Sequence, residues 1–359
     1  MTDEHSKQRV LEPAWENSRV KREAALGQYE FATSALGFGT AGIFREPSKV
    51  ARRRLLETAL AGGVLHFDTA PMYGLGLAQG ELGQVLRGHR AEVVIATKVG
   101  IGLTPLAKVL GRMQGPARRI LNGVPALQQQ ARQSAAGPSS GRFGGLLYKN
   151  TFDVKSAQRS LDESLRALGT DYIDLLLLHD PEASQLDPAE TYGLLESART
   201  AGKIRSWGVA GEADTALSVI NLLPGPTPVV QIRDDIFRRD ECVALPSESD
   251  YLITFGVLGG ALPVVLAHVT ANAERTREWS DAVGADCANP NTIATFLLKD
   301  ALRANDHGTV LYSTTRIERI REGTALVSGG ADSPDAALDA FRHLVGTQLG
   351  PEAKPKEEQ

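Results

Sequence analysis

Short apolar segments alternate with amphipathic segments along most of the chain. Eight of the apolar segments have the length and composition of strands, and they lie near residues 36, 64, 93, 172, 206, 228, 251 and 309. The segments 48–63 and 156–169 carry apolar residues every three to four positions and end in glycine, which is typical of helices. The repeated order of strand, helix and strand predicts parallel pairing.

Eight parallel strands favour a closed (β/α)8 barrel, the TIM barrel, with its helices outside. A continuous apolar strand such as 173–178 needs cover on both faces, which a barrel supplies. An open doubly wound sheet is the rival fold, but the GFGTAG of the first strand lacks the GxGxxG spacing of dinucleotide-binding sheets. We predict one α/β barrel over residues 31–348, a mobile arm over 1–30 and a disordered tail over 349–359.

The connection over residues 101–152 is longer than the others and contains seven Lys or Arg and no Asp or Glu. Because it follows a strand, barrel geometry places it at the carboxyl end of the barrel, where barrel active sites lie. Long connections are usually disordered or functional. Two interpretations stay open: a mobile surface connection, or a lid that draws anionic or polyhydroxylated substrates to the barrel mouth.

The formal net charge is -4, so no global field attracts nucleic acid or an anionic membrane. The two cysteines, Cys242 and Cys287, make neither a disulfide framework nor a metal-ligand spacing, which predicts no metal and fits a reducing cytoplasm. No segment has the apolar length of a signal peptide or a membrane span. We expect a cytoplasmic protein without a nucleic-acid or membrane partner.

Three motifs place titratable residues at or just after the carboxyl ends of predicted strands, which meet at one mouth of a barrel. They are HFDTAPMYG (66–74), ATKVG (96–100) and LLLLHDP (175–181), and they contain Asp68, Tyr73, Lys98 and His179.

These residue types suit proton transfer to a carbonyl oxygen. A phenol with an ordinary pKa near ~10 is a poor acid at neutral pH, but a neighbouring ammonium lowers that pKa. Lys98 would therefore tune Tyr73 for proton donation, and Asp68 would hold the ammonium in place. His179 would donate a hydrogen bond that orients the carbonyl oxygen.

Together the three motifs resemble the aldo-keto reductase family, and the resemblance extends from about residue 36 to residue 323. It implies a carbonyl reductase that reduces an aldehyde, ketone or sugar with NADPH, with NADH as the alternative. The cofactor would perform the difficult step and the protein would supply position and a proton. By the same resemblance Asp68, Tyr73, Lys98 and His179 are the catalytic four, with Tyr73 as the general acid.

The resemblance also implies cofactor-binding residues. PVVQI (228–232) resembles the strand whose Gln231 binds the nicotinamide carboxamide, and ITFGVLGG (253–260) resembles the strand whose Phe255 stacks on the ring. STTRIERIREG (313–323) resembles the phosphate-binding segment. Its implied contacts are Thr314, Thr315, Arg319 and Glu322.

The spacing of Thr315 and Glu318 predicts a capping box at the start of a helix, whose N-terminus suits a phosphate. Arg316 and Arg319 lie three apart on the same helix flank, where a guanidinium would pair with the 2′-phosphate of NADPH. The sequence therefore predicts a preference for NADPH.

Three positions depart from the family pattern. The usual Ser-Asn after the fifth barrel strand is Ala210 and Gly211, and the usual Ser-Glu pair after the tyrosine is replaced near Ala78 and Gln79. The closing Asn of the phosphate-binding helix is Gly323. These departures motivate a second hypothesis, a cofactor-binding, redox-sensing regulatory subunit on the same barrel. A third hypothesis is a barrel lyase or aldolase with Lys98 as the Schiff-base nucleophile.

Overall fold

A closed barrel of eight parallel strands forms the centre of the protein. The computed structural model describes residues 21–26, 29–112, 148–150, 152–239, 251–328 and 335–350. The strands of these residues are β1 (Lys21–Leu26), β2 (Tyr29–Ser34), β3 (Leu36–Gly39), β4 (His66–Asp68), β5 (Val94–Val99), β6 (Ile101–Leu103), β7 (Tyr148–Asn150), β8 (Ile173–His179), β9 (Ile204–Gly211), β10 (Val229–Arg233), β11 (Tyr251–Phe255) and β12 (Thr309–Tyr312). Around the barrel the strands run β3, β4, β5, β8, β9, β10, β11 and β12, and β12 pairs with β3 to close it.

Helices follow most of the barrel strands and cover the outside of the barrel. They are α1 (Lys49–Ala61), α2 (Ala78–Leu86), α3 (Pro105–Arg112), α4 (Val154–Leu168), α5 (Pro188–Thr200), α6 (Ala213–Ile220), α7 (Ala261–Val269), α8 (Ala273–Val283), α9 (Pro290–Ala304), α10 (Ile317–Ser328) and α11 (Ala336–Gln348). In the described part of the chain, no helix combines the length and the apolar composition that a membrane crossing requires.

The predicted (β/α)8 barrel is confirmed, and each of the eight predicted strand segments forms one of its strands. Local signals set the helix ends. The Asp153 side chain accepts a hydrogen bond from the backbone N–H of Ser156 at 3.0 Å and begins α4. Gly169, with φ 67, ends the same helix in the left-handed conformation.

An apolar cluster fills the barrel, and the polar site residues stand above it. The cluster consists of Phe31, Val94, Ala96, Leu175, Leu177, Ala210, Val229, Tyr251, Ile253 and Leu311. Because side chains alternate between the two faces of a strand, the next inward positions on β5, β8 and β10 are Lys98, His179 and Gln231. The alternation therefore delivers all three side chains to the carboxyl end of the barrel.

A hairpin occupies part of the chain that the sequence predicted as an arm over residues 1–30. β1 and β2 pair antiparallel, so that prediction is wrong for residues 21–26 and 29–30, and residues 1–20 lie outside the described residues. The Phe31 ring meets the Tyr251 ring edge to face at 5.4 Å inside the barrel. This tertiary contact stabilises a strand pair in a segment whose charge predicted none.

The long connection begins and ends in ordered elements. β6 and β7 pair antiparallel at its base, and α3 follows β6. A Cβ at Gly111 of α3 would lie 2.2 Å from the carbonyl oxygen of Leu75, so the helix packs tightly on the turn after β4. Residues 113–147, and with them most of the predicted lid or mobile connection, lie outside the described residues.

His66 is a fully buried histidine on β4, inside the barrel. Neither of its ring nitrogens has a hydrogen-bond partner among the described residues. Burial, helped by the charge of Lys98, lowers the pKa of His66 from 6.5 to about 3. The folded protein therefore holds this imidazole in its neutral form.

We expect His66→Leu to make the protein less sensitive to acid. The pKa of His66 is lower in the folded protein than in the unfolded chain, so the unfolded chain takes up the proton at higher pH. Below pH 6.5 the free energy of unfolding therefore decreases by about 1.4 kcal/mol for each further unit of pH. When the pH is lowered from 7.5 to 5.0, the wild type should lose about 2 kcal/mol more of its free energy of unfolding than the variant, as measured by urea denaturation. His89→Leu, at an exposed histidine, is the control. A difference that does not change with pH would contradict the prediction.

Candidate functional site

Lys98 is at the centre of a cluster of polar side chains at the carboxyl end of the barrel. Its Nζ donates to both carboxylate oxygens of Asp68 at 2.7 Å and to the hydroxyl of Tyr73 at 3.3 Å. It also donates to the carbonyl oxygen of Thr69 at 3.3 Å. The Lys98 and Asp68 side chains are each only 4% exposed, so this ion pair is shielded from water.

Tyr73 lies on the short helical turn Tyr73–Gly76 that follows β4. Gly74 has φ 60, and a Cβ there would lie 2.4 Å from the Phe44 ring, so the turn needs glycine at this position. The turn carries the Tyr73 ring edge-on to the His179 ring, with centroids 6.0 Å apart. Tyr73 is therefore in contact with Lys98 on one side and His179 on the other.

The pKa of Tyr73 differs in direction from the sequence prediction. Burial raises the pKa of Tyr73 above 10.0, and the charge of Lys98 opposes this effect without overcoming it. Asp68, bonded directly to Lys98, adds a further upward contribution. The predicted net lowering is therefore wrong, because burial of the phenol outweighs the downward effect of Lys98.

In this site Lys98 is positively charged and His179 is neutral. Burial alone would lower the pKa of Lys98, but Asp68 and Tyr73 outweigh it and the pKa is raised, so the ammonium stays protonated. Burial, and then the charge of Lys98, lowers the pKa of His179 well below 6.5. His179 is therefore a neutral imidazole with one N–H to donate. Its Nδ1 has no partner among the described residues.

Gln231 joins the cluster from β10. Its Nε2 donates to an Asp68 oxygen at 3.1 Å, while its buried Oε1 has no partner among the described residues. In the register of the sheet Gln231 lies beside Ala210, and Ala210 lies beside His179. The methyl side chain of Ala210 leaves space between the two larger polar side chains.

Phe255 lies at the carboxyl end of β11, at the rim of the same mouth. The guanidinium of Arg233 lies 5.3 Å from the centroid of the Phe255 ring. Arg233 Nε also donates to Glu212 Oε1 at 2.7 Å. The aromatic ring is therefore bordered by an ion pair between Arg233 on β10 and Glu212 at the start of α6.

The predicted phosphate-binding residues lie on the segment between β12 and α10 and at the start of α10. The helix begins at Ile317, two residues after Thr315, so the predicted capping box of Thr315 and Glu318 is wrong. The Thr314 hydroxyl instead accepts from the backbone N–H of Arg316 at 3.2 Å, which forms a polar turn before the helix.

Arg319 contacts two polar side chains around the start of α10. Its Nη1 donates to Glu322 Oε2 at 3.2 Å, and its Nη2 donates to Asn291 Oδ1 on α9. The sequence predicted a guanidinium that pairs with a phosphate. The structure holds it half-buried between two helices because Asn291, distant in sequence, supplies the second acceptor.

Asp180 and Gln79 are polar residues without a predicted role. Asp180 follows His179 directly, and its place in the LLLLHDP motif was a signal that could have identified it. Gln79, at one of the positions that departs from the family pattern, donates from Nε2 to Thr97 Oγ1 and Ser164 Oγ, both at 2.9 Å. Gln79 therefore joins α2 to β5 and α4 through a buried amide.

Comparison with known proteins agrees with this architecture. A sequence model described as the aldo/keto reductase family matches residues 35–240. D-threo-aldose 1-dehydrogenase from Pseudomonas sp is 33% identical over 214 residues, which cover 55% of each chain, so the match spans about half of that enzyme. NADH-specific methylglyoxal reductase from Escherichia coli (strain K12) is 25% identical over 88% of this chain and 97% of its own.

A solved aldo-keto reductase from Bacillus halodurans has a similar fold, with a TM-score of 0.64 and 18% identity over 90% of this chain and 96% of its own. At that identity the likeness concerns the fold alone. The family model, in contrast, covers more than half of the chain and includes β4, β5 and β8 with the residues that they carry. The chain belongs to the aldo/keto reductase family.

Proposed function

We propose that this protein is a nicotinamide-dependent carbonyl reductase that converts an aldehyde, ketone or sugar to the corresponding alcohol. The observation that carries the proposal is the contact of Lys98 with both Asp68 and Tyr73, beside the ring of His179. This arrangement combines a proton donor, a fixed positive charge and a neutral hydrogen-bond donor at one barrel mouth. Reduction of a carbonyl requires a proton at its oxygen, and these groups supply it.

Tyr73 acts as the general acid in this proposal. Because burial raises the pKa of Tyr73, the phenol is protonated throughout the neutral range. Its O–H donates to the carbonyl oxygen and transfers the proton as negative charge develops there. The Lys98 ammonium, 3.3 Å from the phenol oxygen, then stabilises the phenolate that remains. Asp68 keeps the ammonium in position.

His179 orients the substrate in this proposal. A neutral imidazole donates a single N–H, and a carbonyl oxygen in contact with both His179 and Tyr73 would accept from each. Since the pKa of His179 is lowered well below 6.5, the ring does not compete with Tyr73 as an acid at neutral pH. The two neighbouring rings therefore have separate roles.

The residues at the mouth fit a nicotinamide. Gln231 Oε1, buried and without a partner among the described residues, is placed to accept a hydrogen bond from the carboxamide. Phe255 at the rim would stack on the ring. When bound, the cofactor supplies the hydride to the carbonyl carbon.

The adenosine end would lie around α10, held by Thr314, Thr315, Arg319 and Glu322. A cavity of about 310 Å³ adjoins this group. Its lining residues are Ala285, Asn291, Thr292, Thr295, Phe296 and Glu322. Asn291, Thr292 and Thr295 supply hydrogen-bonding groups that suit a ribose.

The raised pKa of Lys98 argues against the lyase or aldolase hypothesis. A Schiff-base lysine must lose its proton to become a nucleophile, which requires a lowered pKa. Asp68 has the opposite effect on Lys98. The carbonyl reductase proposal uses Lys98 in its charged form and is consistent with this direction.

We expect Tyr73→Phe to lower kcat for carbonyl reduction by about a hundredfold or more, because the general acid is lost. The measurement is oxidation of the reduced cofactor with a panel of aldehydes, ketones and sugars, together with cofactor affinity, which should stay near its wild-type value. Tyr192→Phe is the matched control, since that ring packs on Trp207 on the outer side of the barrel. Near-normal turnover in Tyr73→Phe would overturn the proposed mechanism.

We expect Lys98→Met to lower kcat by a similar factor and also to change the pH profile. Lys98 opposes the rise in the pKa of Tyr73, so removing it should raise that pKa further. The alkaline fall in kcat/KM for reduction should therefore move to higher pH. The variant leaves Asp68 buried and unpaired, at a cost of about 3 to 5 kcal/mol, so a thermal melt must first show that it folds. An unshifted alkaline limb in a folded variant would exclude the tuning role.

We expect NADPH to bind more tightly than NADH by about 1 to 3 kcal/mol, with Arg319 contacting the 2′-phosphate. Arg319→Ala should remove most of that margin and leave NADH affinity nearly unchanged. Glu322→Gln is the matched second variant, because the Glu322 carboxylate pairs with Arg319 and offsets part of its charge. It should increase the preference for NADPH. Equal affinity for the two cofactors in the wild-type protein would contradict this prediction.

A further inference from the structure

We propose that the carboxylate of Asp180 selects the substrate. It accepts hydrogen bonds from hydroxyl groups close to the reacting carbonyl, which favours uncharged polyhydroxylated aldehydes, and it disfavours substrates that carry a carboxylate. The proposal rests on the proposed carbonyl reduction and names the substrate class for that site. Asp180 is a binding residue in this role and takes no part in proton transfer.

The backbone of Asp180 has an unusual conformation that its surroundings maintain. Its φ of 44 lies in the left-handed region, which is unfavourable for a residue with a side chain. The backbone N–H of Asp180 donates to the carbonyl oxygen of Ala210 at 2.7 Å and fixes this turn at the end of β8. The cap of the next helical turn is Glu182, so Asp180 is not needed to begin a helix. Strain of this kind is often found at functional sites.

Gly211 makes room for this carboxylate. A Cβ at Gly211 would lie 3.1 Å from Asp180 Oδ1, closer than ordinary contact. The pair Ala210 and Gly211, which replaces larger polar side chains of the family pattern, therefore leaves a space that the Asp180 side chain occupies.

The carboxylate of Asp180 is close enough to the reacting groups to touch a substrate. Its Oδ2 lies 3.9 Å from Nε2 of His179, and its side chain is 46% exposed at the barrel mouth. Its charge also contributes to the raised pKa of Tyr73. A carbonyl held between His179 and Tyr73 would place its neighbouring carbon atoms within reach of Asp180.

The charges around the mouth indicate which substituent Asp180 accepts. Arg233 pairs with Glu212 at 2.7 Å, and Arg238 lies 3.5 Å from the same carboxylate. Asp180, in contrast, lies beside His179, which is neutral and therefore does not offset its charge. A carboxylate is an acceptor only, so it binds the O–H donors of a hydroxylated substrate and repels an anion.

The test compares three aldehydes with the full-length protein and its cofactor. Glyceraldehyde carries two hydroxyl groups, propanal has the same carbon chain without them, and glyoxylate carries a carboxylate next to the aldehyde. Asp180→Asn removes the charge and suits the left-handed backbone, while Asp180→Gly removes the whole side chain without backbone strain. Asp171→Asn, an exposed carboxylate just before the opposite end of β8, is the matched control.

We expect Asp180→Gly to lower kcat/KM for glyceraldehyde by about tenfold or more, mainly through KM, since one hydrogen bond to a charged group is lost. Propanal should stay within about twofold of wild type, because it makes no such bond. Asp180→Asn should show a smaller loss with glyceraldehyde and a gain with glyoxylate of about tenfold, since the repulsion is gone. An equal change for all three aldehydes, or no change for any, would overturn the selection role.

A double-mutant cycle with Gly211 gives an independent measurement. Gly211→Ala places a methyl group against Asp180 Oδ1 and should lower kcat/KM for glyceraldehyde in the wild-type background. In the Asp180→Gly background the same substitution should have little effect, because the carboxylate that it displaces is absent. Equal effects in both backgrounds would show that Gly211 acts independently of Asp180. Absence of cofactor oxidation with every aldehyde in wild type would instead overturn the proposed carbonyl reduction.

Discussion

The buried ion pair of Lys98 and Asp68 is the interaction on which the rest of the site depends. Removing two charges from water is costly unless hydrogen bonds satisfy the groups that remain, and here Thr69, Tyr73 and Gln231 complete the arrangement. The five residues come from β4, β5, β10 and the turn after β4. A small change in the register of any of these strands would expose an unpaired charge, so a rigid closed barrel suits this cluster.

The sequence predicted the barrel and its carboxyl-end residues well because both follow from local pattern. Period-two alternation places Lys98, His179 and Gln231 on the inward face of their strands, and strand ends in a parallel barrel meet at one rim. The grouping of Asp68, Tyr73, Lys98 and His179 needed no information beyond strand position. Their catalytic roles rest on the family resemblance and on the proposed mechanism.

Features that depend on contacts between distant segments could not be predicted in the same way. The hairpin of β1 and β2 depends on the meeting of Phe31 and Tyr251, which are far apart in sequence. The direction of the pKa of Tyr73 depends on how deeply the surrounding segments bury its ring. Arg319 is held by Asn291, which no pattern around residue 319 reveals. In each case contacts from distant segments decide the outcome.

The buried amide of Gln79 has a consequence for how this protein changes during evolution. Its two N–H groups bond to Thr97 and Ser164, which lie on different elements. Replacing either acceptor with an apolar residue leaves a buried donor unpaired, and replacing Gln79 alone leaves two hydroxyl groups in the same condition. Single substitutions are therefore selected against while simultaneous ones are tolerated, so these three positions should vary together among descendants of this chain.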